Sequence, residues 1–300
     1  MSNTRVERDA STGRPILVAP HRRGRPMHTV PGKDGAELCP FCPGAEAQTP
    51  PECDAVRLDG SAPDTPGWLA RAFPNRYPAS PAHEVIAEGP VHTARPAALD
   101  ATTVRHVLAL WRRRIAQVES RPGIAHAFLF KNVGREAGAS IAHNHSQLLG
   151  MSELPPRLAL ERELDRRHGG HVARELEHAE RERRIVGATR RFALFAPRHP
   201  KLPLETWLAP FDPADEFDAA SDDAELATLL VELFGAIDAA LHAPPFNLWL
   251  HRIPGEAFHW HFECQPRTGF LAGLELGADA YINSLDGVDG ARRLREARSR

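Results

Sequence analysis

The amino-acid sequence predicts an α+β fold of two similar units, each an antiparallel sheet packed with helices, related by a pseudo-two-fold duplication. Short apolar segments typical of strands alternate with long amphipathic segments typical of helices. The order strand, helix, strand, loop and His-x-His strand occurs twice along the chain. The chain of 300 residues is long enough for two domains, since one domain commonly has about 150 residues. Short strands with one helix in each unit favour α+β over a parallel sheet.

The first unit is predicted at residues 1–155. Strands are expected at 15–22, 83–88 and 126–130. A helix is expected after Asp100, whose carboxylate can cap its first turn. The apolar residues of this helix recur at helical spacing, at Val104, Val107, Leu108, Trp111, Ile115 and Val118.

The second unit is predicted at residues 156–300. Its first part, 157–184, is rich in charge and is interpreted as a solvated helix that links the two units. Three further strands and one helix are predicted, at 191–197, 204–210, 246–253 and 222–242 respectively. The segment "HWHFE" of this half matches "HNHSQ" of the first half, which indicates a repeated unit.

The charge balance of the chain argues against several classes of partner. The formal net charge is -2 and the isoelectric point is near 6.8, so neither nucleic acid nor an anionic membrane is expected to bind. No apolar run reaches the length of about 18–20 residues that a membrane span needs. The N-terminus lacks the apolar core of a secretory signal, and four cysteines do not suggest a disulfide framework. We therefore expect a cytoplasmic protein.

The segment "SIAHNHSQLLG", residues 140–150, places His143, His145 and Gln147 at alternate positions. In a strand, alternate side chains lie on the same face of the sheet, so these three polar groups are expected to point the same way. Burying polar groups without partners costs roughly 1–3 kcal/mol each. The pattern therefore favours a functional site over a structural core.

Cys39 and Cys42 form a Cys-x-x-Cys pair in a predicted loop that contains proline and glycine. Two such thiolates can hold one side of a tetrahedral zinc ion, and histidines from elsewhere would complete the site. A redox dithiol is the alternative, but it normally opens a helix of a thioredoxin-like unit, and no such unit follows. The pair therefore favours zinc.

Two arginines and two asparagines in predicted loops are candidate ligand contacts. Arg22 and Arg25 follow the first strand, and paired guanidinium groups can bind phosphate oxygens in a bidentate manner. A solvated basic loop is the alternative. Asn75 and Asn132 each follow an apolar segment, where an amide either completes a turn or contacts a base or a sugar.

A second group of polar side chains is expected in the other half of the chain. His251, His259 and His261 cluster in the sequence, and Glu161 lies on the charged segment. Because imidazole suits zinc or iron, a second metal site is one interpretation. A hydrogen-bonded structural cluster is the other.

Eight segments together resemble the galactose-1-phosphate uridylyltransferase family, a branch of the histidine-triad superfamily. They follow the order of that family from about residue 15 to residue 285, which is nearly the whole chain. The segments are "ILVAPHRRGRP", "CPFCPG", "FPNRYPA", "HEVIAEGPVH", "FKNVGREAGASIAHNHSQ", "NLWLH", "HWHFECQPR" and "LELGADAYIN". The resemblance implies that both units are histidine-triad-like.

The resemblance also implies roles for individual residues. His145 would be the catalytic nucleophile that attacks the α-phosphate of a nucleotide sugar to give a nucleotidyl-histidine, and Gln147 would contact the transferred phosphoryl group. The implied zinc ligands are Cys39, Cys42, His92 and His143. The implied substrate contacts are Arg22, Arg25, Asn75, Asn132, Ser140, Gln147 and Glu275. The implied ligands of a second metal, iron or zinc, are Glu161, His251, His259 and His261.

The implied activity is exchange of a nucleoside monophosphate between a UDP-sugar and a sugar 1-phosphate, for example between UDP-glucose and galactose 1-phosphate. The resemblance also implies a homodimer. Hydrolases of the superfamily carry a third histidine where this chain has Gln147. An amide cannot protonate a leaving group, so transfer is favoured over hydrolysis. Two alternatives remain: a nucleoside-diphosphate-sugar phosphorylase that uses inorganic phosphate, and a zinc-stabilised nucleotide-binding protein without transfer activity.

One residue departs from the pattern of the family. The family has a proline between its two histidines, and this chain has Asn144. Without the fixed φ of proline, the backbone beside the nucleophile is expected to be less rigid. This departure bears more on which substrate the protein uses than on whether it transfers a nucleotide through a histidine.

Overall fold

The structure, a computed structural model, describes residues 4–24, 39–218 and 223–299. It is an α+β protein, as the sequence predicts. The helices of the described residues are α1 (Ala101–Glu119), α2 (Pro156–His168), α3 (His171–Arg181), α4 (Ala224–Leu241), α5 (Gly273–Ala278) and α6 (Gly287–Arg298). The strands are β1 (Arg5–Arg8), β2 (Pro15–Val18), β3 (Asp54–Arg57), β4 (Trp68–Pro74), β5 (His83–Ala87), β6 (His126–Val133), β7 (His145–Met151), β8 (Ile185–Ala188), β9 (Phe192–Phe195), β10 (Thr206–Pro210), β11 (Phe246–His251) and β12 (His261–Pro266).

Two runs of five strands repeat the same topology. In the first run the strands lie in the order β3, β4, β5, β7, β6, and α1 connects β5 to β6 in the sequence. In the second run the order is β8, β9, β10, β12, β11, and α4 connects β10 to β11. Neighbouring strands within each run pair in an antiparallel manner. The repeat confirms the predicted duplication of an antiparallel sheet packed with helices.

The chain divides into two compact units, and each of them is discontinuous in sequence. The first unit consists of Met1–Ala94, His106–Lys131 and Ser140–Ala159. The second unit consists of Arg95–Arg105, Asn132–Ala139 and Leu160–Arg300. The predicted boundary between residues 155 and 156 stays a prediction.

The cap and the apolar face predicted for α1 are present. Asp100 Oδ1 accepts a hydrogen bond from Thr103 N at 2.7 Å, which satisfies an N–H of the first turn. All six apolar residues predicted for this face are buried. Trp111 Nε1 also donates to Ser146 Oγ on β7 at 2.7 Å. The helix therefore packs against the first sheet through both apolar and polar contacts.

The charged segment 157–184 differs from its interpretation as one solvated helix. It forms α2 and α3, which are separated at Gly169 and Gly170. On α3, Val172 and Leu176 are buried in an apolar cluster with residues of β9 and β10, because they recur at helical spacing within the charged sequence. None of the helices described here combines the length and the apolarity needed to cross a membrane.

Alternation along β5 divides its side chains between the two faces of the first sheet. Glu84 faces α1, where Arg114 donates two hydrogen bonds of 2.9 Å to its carboxylate. By strand alternation, His83, Val85 and Ala87 lie on the opposite face. Val85 and Ala87 pack there in a cluster with Phe41, Trp68 and Phe73. This opposite face also carries the candidate site.

The ion pair between Glu84 and Arg114 predicts a measurable loss of stability. Both side chains are almost fully buried, so Glu84→Gln would remove the carboxylate to which the buried Arg114 guanidinium donates two hydrogen bonds, and would leave it only the longer contact of 3.9 Å with Asp54. We expect a loss of about 3–5 kcal/mol in the free energy of unfolding, measured by urea denaturation.

The control for this experiment is the exposed pair of Arg113 and Asp54, in which Arg113 is 46% exposed. Arg113→Gln is expected to cost at most about 1 kcal/mol, because solvent screens such pairs. Equal losses in the two variants would contradict the prediction.

Candidate active site and metal centres

The loop at residues 39–42 and the segment before β7 bring four candidate zinc ligands together. One ligand atom from each of Cys39, Cys42, His92 and His143 lies within 4.8 Å of the other three. His92 Nδ1 is 3.3 Å and His143 Nδ1 is 3.6 Å from Cys42 Sγ. Two thiols and two imidazoles match the donor set of a tetrahedral zinc site.

The protonation of these residues also fits a cation. His143 Nε2 donates to the carbonyl oxygen of Gly89 at 2.9 Å. Because a carbonyl only accepts, the neutral ring has its lone pair on Nδ1, the nitrogen that faces Cys42. Burial lowers the pKa of His143 and so favours this neutral form. Burial raises the pKa of the Cys39 thiol to about 11, so a thiolate there needs a compensating positive charge.

His145 is the first residue of β7 and is only 7% exposed. Its Nδ1 donates to the carbonyl oxygen of His143 at 2.7 Å, which places the lone pair of the neutral ring on Nε2. The ring of Phe41 lies edge-on to the imidazole, with 5.3 Å between centroids. These contacts hold the imidazole in one orientation, with a nucleophilic nitrogen opposite the backbone.

Gln147 lies two residues further along β7, on the same face as His145. Its Oε1 is 3.0 Å from His83 Nε2 and 3.5 Å from Asn75 Nδ2. Asn75 Oδ1 in turn accepts a hydrogen bond from Tyr77 N at 2.8 Å. The structure therefore brings Asn75 and Gln147 together, and it adds His83, which sequence reasoning missed.

Arg22 lies in a turn after the first predicted strand, as the sequence predicts. The segment 15–22 forms β2, which ends at Val18, and a 3₁₀ turn follows at Pro20–Gly24. Pro20 has no N–H for a strand ladder, which explains the early end. The Arg22 guanidinium donates to the carbonyl oxygen of Tyr77. This contact places Arg22 beside the loop that begins at Asn75.

The other predicted substrate contacts are distributed over the chain. Ser140 belongs to the first unit and is half-buried in the loop before β7. Asn132 and Glu275 belong to the second unit. Asn132 Oδ1 accepts a hydrogen bond from Asn247 Nδ2 at 2.8 Å, and Glu275 caps the first turn of α5. Arg25 lies outside the described residues, and the roles of all four stay predictions.

A buried ion pair that sequence reasoning missed lies beside His145. Lys131 Nζ is 2.5 Å from Glu88 Oε2, 3.3 Å from Asn144 Oδ1 and 3.4 Å from the carbonyl oxygen of His145. The Asn144 N–H donates to the Thr93 carbonyl at 2.8 Å, and its own carbonyl accepts from Glu88 N at 2.9 Å. Hydrogen bonds thus restrain the backbone at Asn144, where the family that this chain resembles has a proline.

The second unit holds another group of possible metal ligands. One ligand atom from each of Glu161, His251, His261 and Glu263 lies within 4.8 Å of the other three. His251 Nδ1 is 2.9 Å from Glu161 Oε2 and 3.5 Å from Glu263 Oε1. His259, the other predicted ligand, is not in this group. Its Nε2 donates to a backbone carbonyl of β10 at 2.8 Å. Glu263 occupies the fourth position, which sequence reasoning missed.

The protonation states of the side chains in this second group favour the binding of a cation. All four side chains are buried. Burial opposes the ionisation of Glu161, but the hydrogen bond with His251 and the nearby imidazoles hold the pKa of its carboxyl below the usual value. Burial lowers the pKa of His251, which favours a neutral, ligating ring. Carboxylates beside neutral imidazoles fit zinc or iron.

The chain is similar to known proteins in both sequence and structure. A family model described as the N-terminal domain of galactose-1-phosphate uridyl transferase matches residues 77–155. An ADP-glucose phosphorylase of Arabidopsis thaliana is 26% identical over 97% of this chain and 92% of its own length. A galactose-1-phosphate uridylyltransferase of Thermotoga maritima is 24% identical over 94% of both chains.

A solved structure shows the same similarity in three dimensions. The crystal structure of an ADP-glucose phosphorylase from Arabidopsis thaliana with bound ADP-glucose has a TM-score of 0.77 to this chain at 27% identity. The match covers 98% of this chain and 99% of that chain. The segment matched by the family model contains His83, His92, His143, His145 and Gln147. In sequence and in fold the chain is therefore similar to the galactose-1-phosphate uridylyltransferase family and to its ADP-glucose phosphorylase relatives.

Proposed function

We propose that this protein is a nucleotidyltransferase that moves a nucleoside monophosphate from a nucleotide sugar, preferentially a UDP-sugar, to a sugar 1-phosphate. The observation that carries the proposal is the imidazole of His145. Its Nδ1 is bonded to a backbone carbonyl, and its Nε2 therefore holds the lone pair. An oriented, neutral imidazole is a competent nucleophile toward phosphorus.

In the first half-reaction, His145 Nε2 attacks the α-phosphorus of the nucleotide sugar. A nitrogen–phosphorus bond forms, the bond from the α-phosphorus to the bridging oxygen breaks, and sugar 1-phosphate leaves with the electron pair. The hydrogen bond from Nδ1 to the His143 carbonyl supports the positive charge that the substituted ring acquires. In the second half-reaction a phosphate oxygen of the acceptor attacks the same phosphorus, and the nitrogen–phosphorus bond breaks.

Gln147 and Arg22 are proposed to contact the negatively charged phosphate oxygens of the substrate. The amide of Gln147 lies two residues from the nucleophile on the same face, where its N–H groups can donate to a phosphoryl oxygen. The Arg22 guanidinium supplies positive charge from the turn beside Asn75. Since an amide does not activate water, the nucleotidyl-enzyme is expected to wait for a phosphate acceptor.

Two metal ions complete the proposal. Zinc held by Cys39, Cys42, His92 and His143 would join the 39–42 loop to the segment that carries the nucleophile, and so would supply rigidity. Zinc or iron held by Glu161, His251, His261 and Glu263 would stabilise the second unit.

A phosphorylase is the second candidate function, and a comparison favours it. The Arabidopsis relative that is 26% identical over 97% of this chain is an ADP-glucose phosphorylase. In that reaction class inorganic phosphate attacks the nucleotidyl-histidine and releases a nucleoside diphosphate. The first half-reaction is the same, so the two candidates differ only in the acceptor.

The covalent intermediate is the first test. Incubation with UDP-glucose or ADP-glucose alone is expected to add one nucleoside monophosphate to the protein, because the acceptor is missing and Gln147 does not hydrolyse the adduct. Intact-protein mass spectrometry measures the added mass, and acid treatment should remove it.

The variants for this test are His145→Ala and His168→Ala. His168 is an exposed histidine on α2, so its variant should form the adduct normally, whereas His145→Ala should form none. An adduct on His145→Ala, or its absence from the wild type, would refute the mechanism.

The acceptor is the second test. The isolated nucleotidyl-enzyme is mixed with galactose 1-phosphate or with inorganic phosphate, and the rate at which the adduct disappears is measured by quenched-flow mass spectrometry. We expect sugar 1-phosphate to discharge it faster and to give a new nucleotide sugar. Faster discharge by inorganic phosphate, with release of nucleoside diphosphate, would replace the leading proposal with the phosphorylase.

Metal content is the third test. Cys39→Ser should lose one equivalent of zinc, because a serine hydroxyl remains protonated and is a poor zinc ligand. Inductively coupled plasma mass spectrometry after dialysis measures it. Cys53→Ser is the matched control, since Cys53 Sγ donates to the Ala72 carbonyl instead. Equal zinc in the two variants would exclude the assignment.

The same measurement separates the possible ligands of the second site. Glu263→Gln is expected to lower the bound metal, whereas His259→Gln should retain it, because only Glu263 lies within the ligand group. The reverse result would restore His259 as the ligand.

A further inference from the structure

We propose that His83 is a positioning residue for the transfer reaction, which fixes the end of the Gln147 amide that meets the substrate phosphate. The inference rests on the proposed function and deepens it. His83 is a buried residue at the start of β5, and its role is to hold the amide oxygen, so that the amide nitrogen remains the group that faces the phosphoryl oxygens.

The register of two strands places His83 within reach of Gln147. In the antiparallel pair of β5 and β7, Val85 lies opposite Gln147 and His83 lies opposite Leu149. His83 is therefore a diagonal neighbour of Gln147 on the same face, a relation that long side chains can bridge. The bridge is formed, with His83 Nε2 3.0 Å from Gln147 Oε1.

The backbone determines the tautomer of His83. Ala79 N donates a hydrogen bond of 2.9 Å to His83 Nδ1. A backbone N–H is only a donor, so Nδ1 must carry the lone pair and Nε2 of the neutral ring must carry the proton. His83 Nε2 is consequently a donor, and the atom of Gln147 that it meets must be the amide oxygen.

Asn75 supports the same orientation of the amide. Tyr77 N donates to Asn75 Oδ1 at 2.8 Å, which makes the other end of that amide, Nδ2, a donor. Asn75 Nδ2 is 3.5 Å from Gln147 Oε1 and 3.3 Å from His83 Nε2, so the two donors lie side by side and share the amide oxygen. The contact of His83, at 3.0 Å, is the shorter of the two.

The orientation matters because the two ends of the amide act oppositely on phosphate. The N–H groups of Gln147 attract a phosphoryl oxygen and strengthen as charge develops on it, whereas the amide oxygen repels it. Without His83, the amide would lose its stronger restraint and would populate both orientations. The cost therefore falls on the chemical step more than on binding of the nucleotide sugar.

The second unit repeats this restraint at the corresponding position. Glu205 lies two residues before Trp207, which pairs with Glu263, as His83 lies two residues before Val85. Lys201 lies four residues before Glu205, as Ala79 lies four residues before His83. The backbone N–H of Lys201 donates to Glu205 Oε2 at 2.6 Å. A backbone N–H thus holds the side chain at this position in both units, so the scaffold itself sets its orientation.

The test compares three substitutions at His83. His83→Leu removes both hydrogen bonds, and His83→Asn retains an acceptor near Ala79 N but cannot reach Gln147. His83→Gln can supply both an acceptor for the backbone and a donor for Gln147. The single-turnover rate of adduct formation from the nucleotide sugar and the dissociation constant of the nucleotide sugar are measured for each variant.

We expect His83→Leu and His83→Asn to slow adduct formation about 10- to 100-fold, a loss on the scale of one transition-state hydrogen bond, with a much smaller change in the dissociation constant. His83→Gln should recover most of the rate. If His83→Leu does not fold, His83→Asn serves in its place. An unchanged rate in the folded variants, or no recovery by His83→Gln, would overturn the role of His83.

A double-mutant cycle separates positioning from general damage. His83→Leu should have little further effect when Gln147 is already alanine, because its action passes through that amide. His126, a buried histidine on β6, provides the control, and the effect of His126→Leu should add to that of Gln147→Ala. An additive effect of His83→Leu would overturn the inference, whereas a wild type that forms no adduct would overturn the proposed function itself.

Discussion

The antiparallel register between β5 and β7 is the constraint on which the site depends. It places Ala87 opposite His145 and Val85 opposite Gln147, so these side chains share one face of the first sheet. The intervening Ser146 points to the other face, where Trp111 of α1 donates to it. Because the side-chain period of a strand is two, a slip of one residue would turn His145 toward the helix. The hydrogen bond from Trp111 to Ser146 therefore fits the register that puts the His145 imidazole on the opposite face.

Backbone carbonyls control the histidine tautomers in both units. His145 Nδ1 lies 2.7 Å from the carbonyl oxygen two residues before it, and His261 Nδ1 lies 3.3 Å from the carbonyl oxygen of His259. The residue two positions further on then decides the chemistry. Gln147 is a neutral amide that can donate to an anionic phosphate, whereas Glu263 is a carboxylate that attracts a cation. One duplicated scaffold thus presents His145 beside a neutral amide in one unit and His261 beside a carboxylate in the other.

Much of this arrangement could be predicted from the sequence, because local patterns carry it. Alternation predicts the shared face of His145 and Gln147, and the Cys-x-x-Cys pair favours a zinc site, whose histidines His92 and His143 were named only by the family resemblance. His83, Lys131 and Glu263 could not be found in this way. Each acts through a partner that is distant in sequence, so its role depends on strand register, which periodicity does not encode. The buried face of α3 was missed for a related reason, since its apolar residues are few among many charges.

The ion pair of Lys131 and Glu88 lies beside Asn144, the residue at which the family that this chain resembles has a proline. Buried ion pairs add little to stability, because desolvation offsets their attraction, so the position of this pair is more informative than its strength. Lys131 contacts both the Asn144 side chain and the His145 carbonyl. The Asn144 N–H, which a proline would lack, donates to Thr93, the residue after zinc-ligand candidate His92. Asparagine thereby exchanges the fixed φ of proline for hydrogen bonds that join the backbone before β7 to Thr93 and Glu88. In the proposed reaction these bonds would supply the rigidity that an in-line attack by His145 requires.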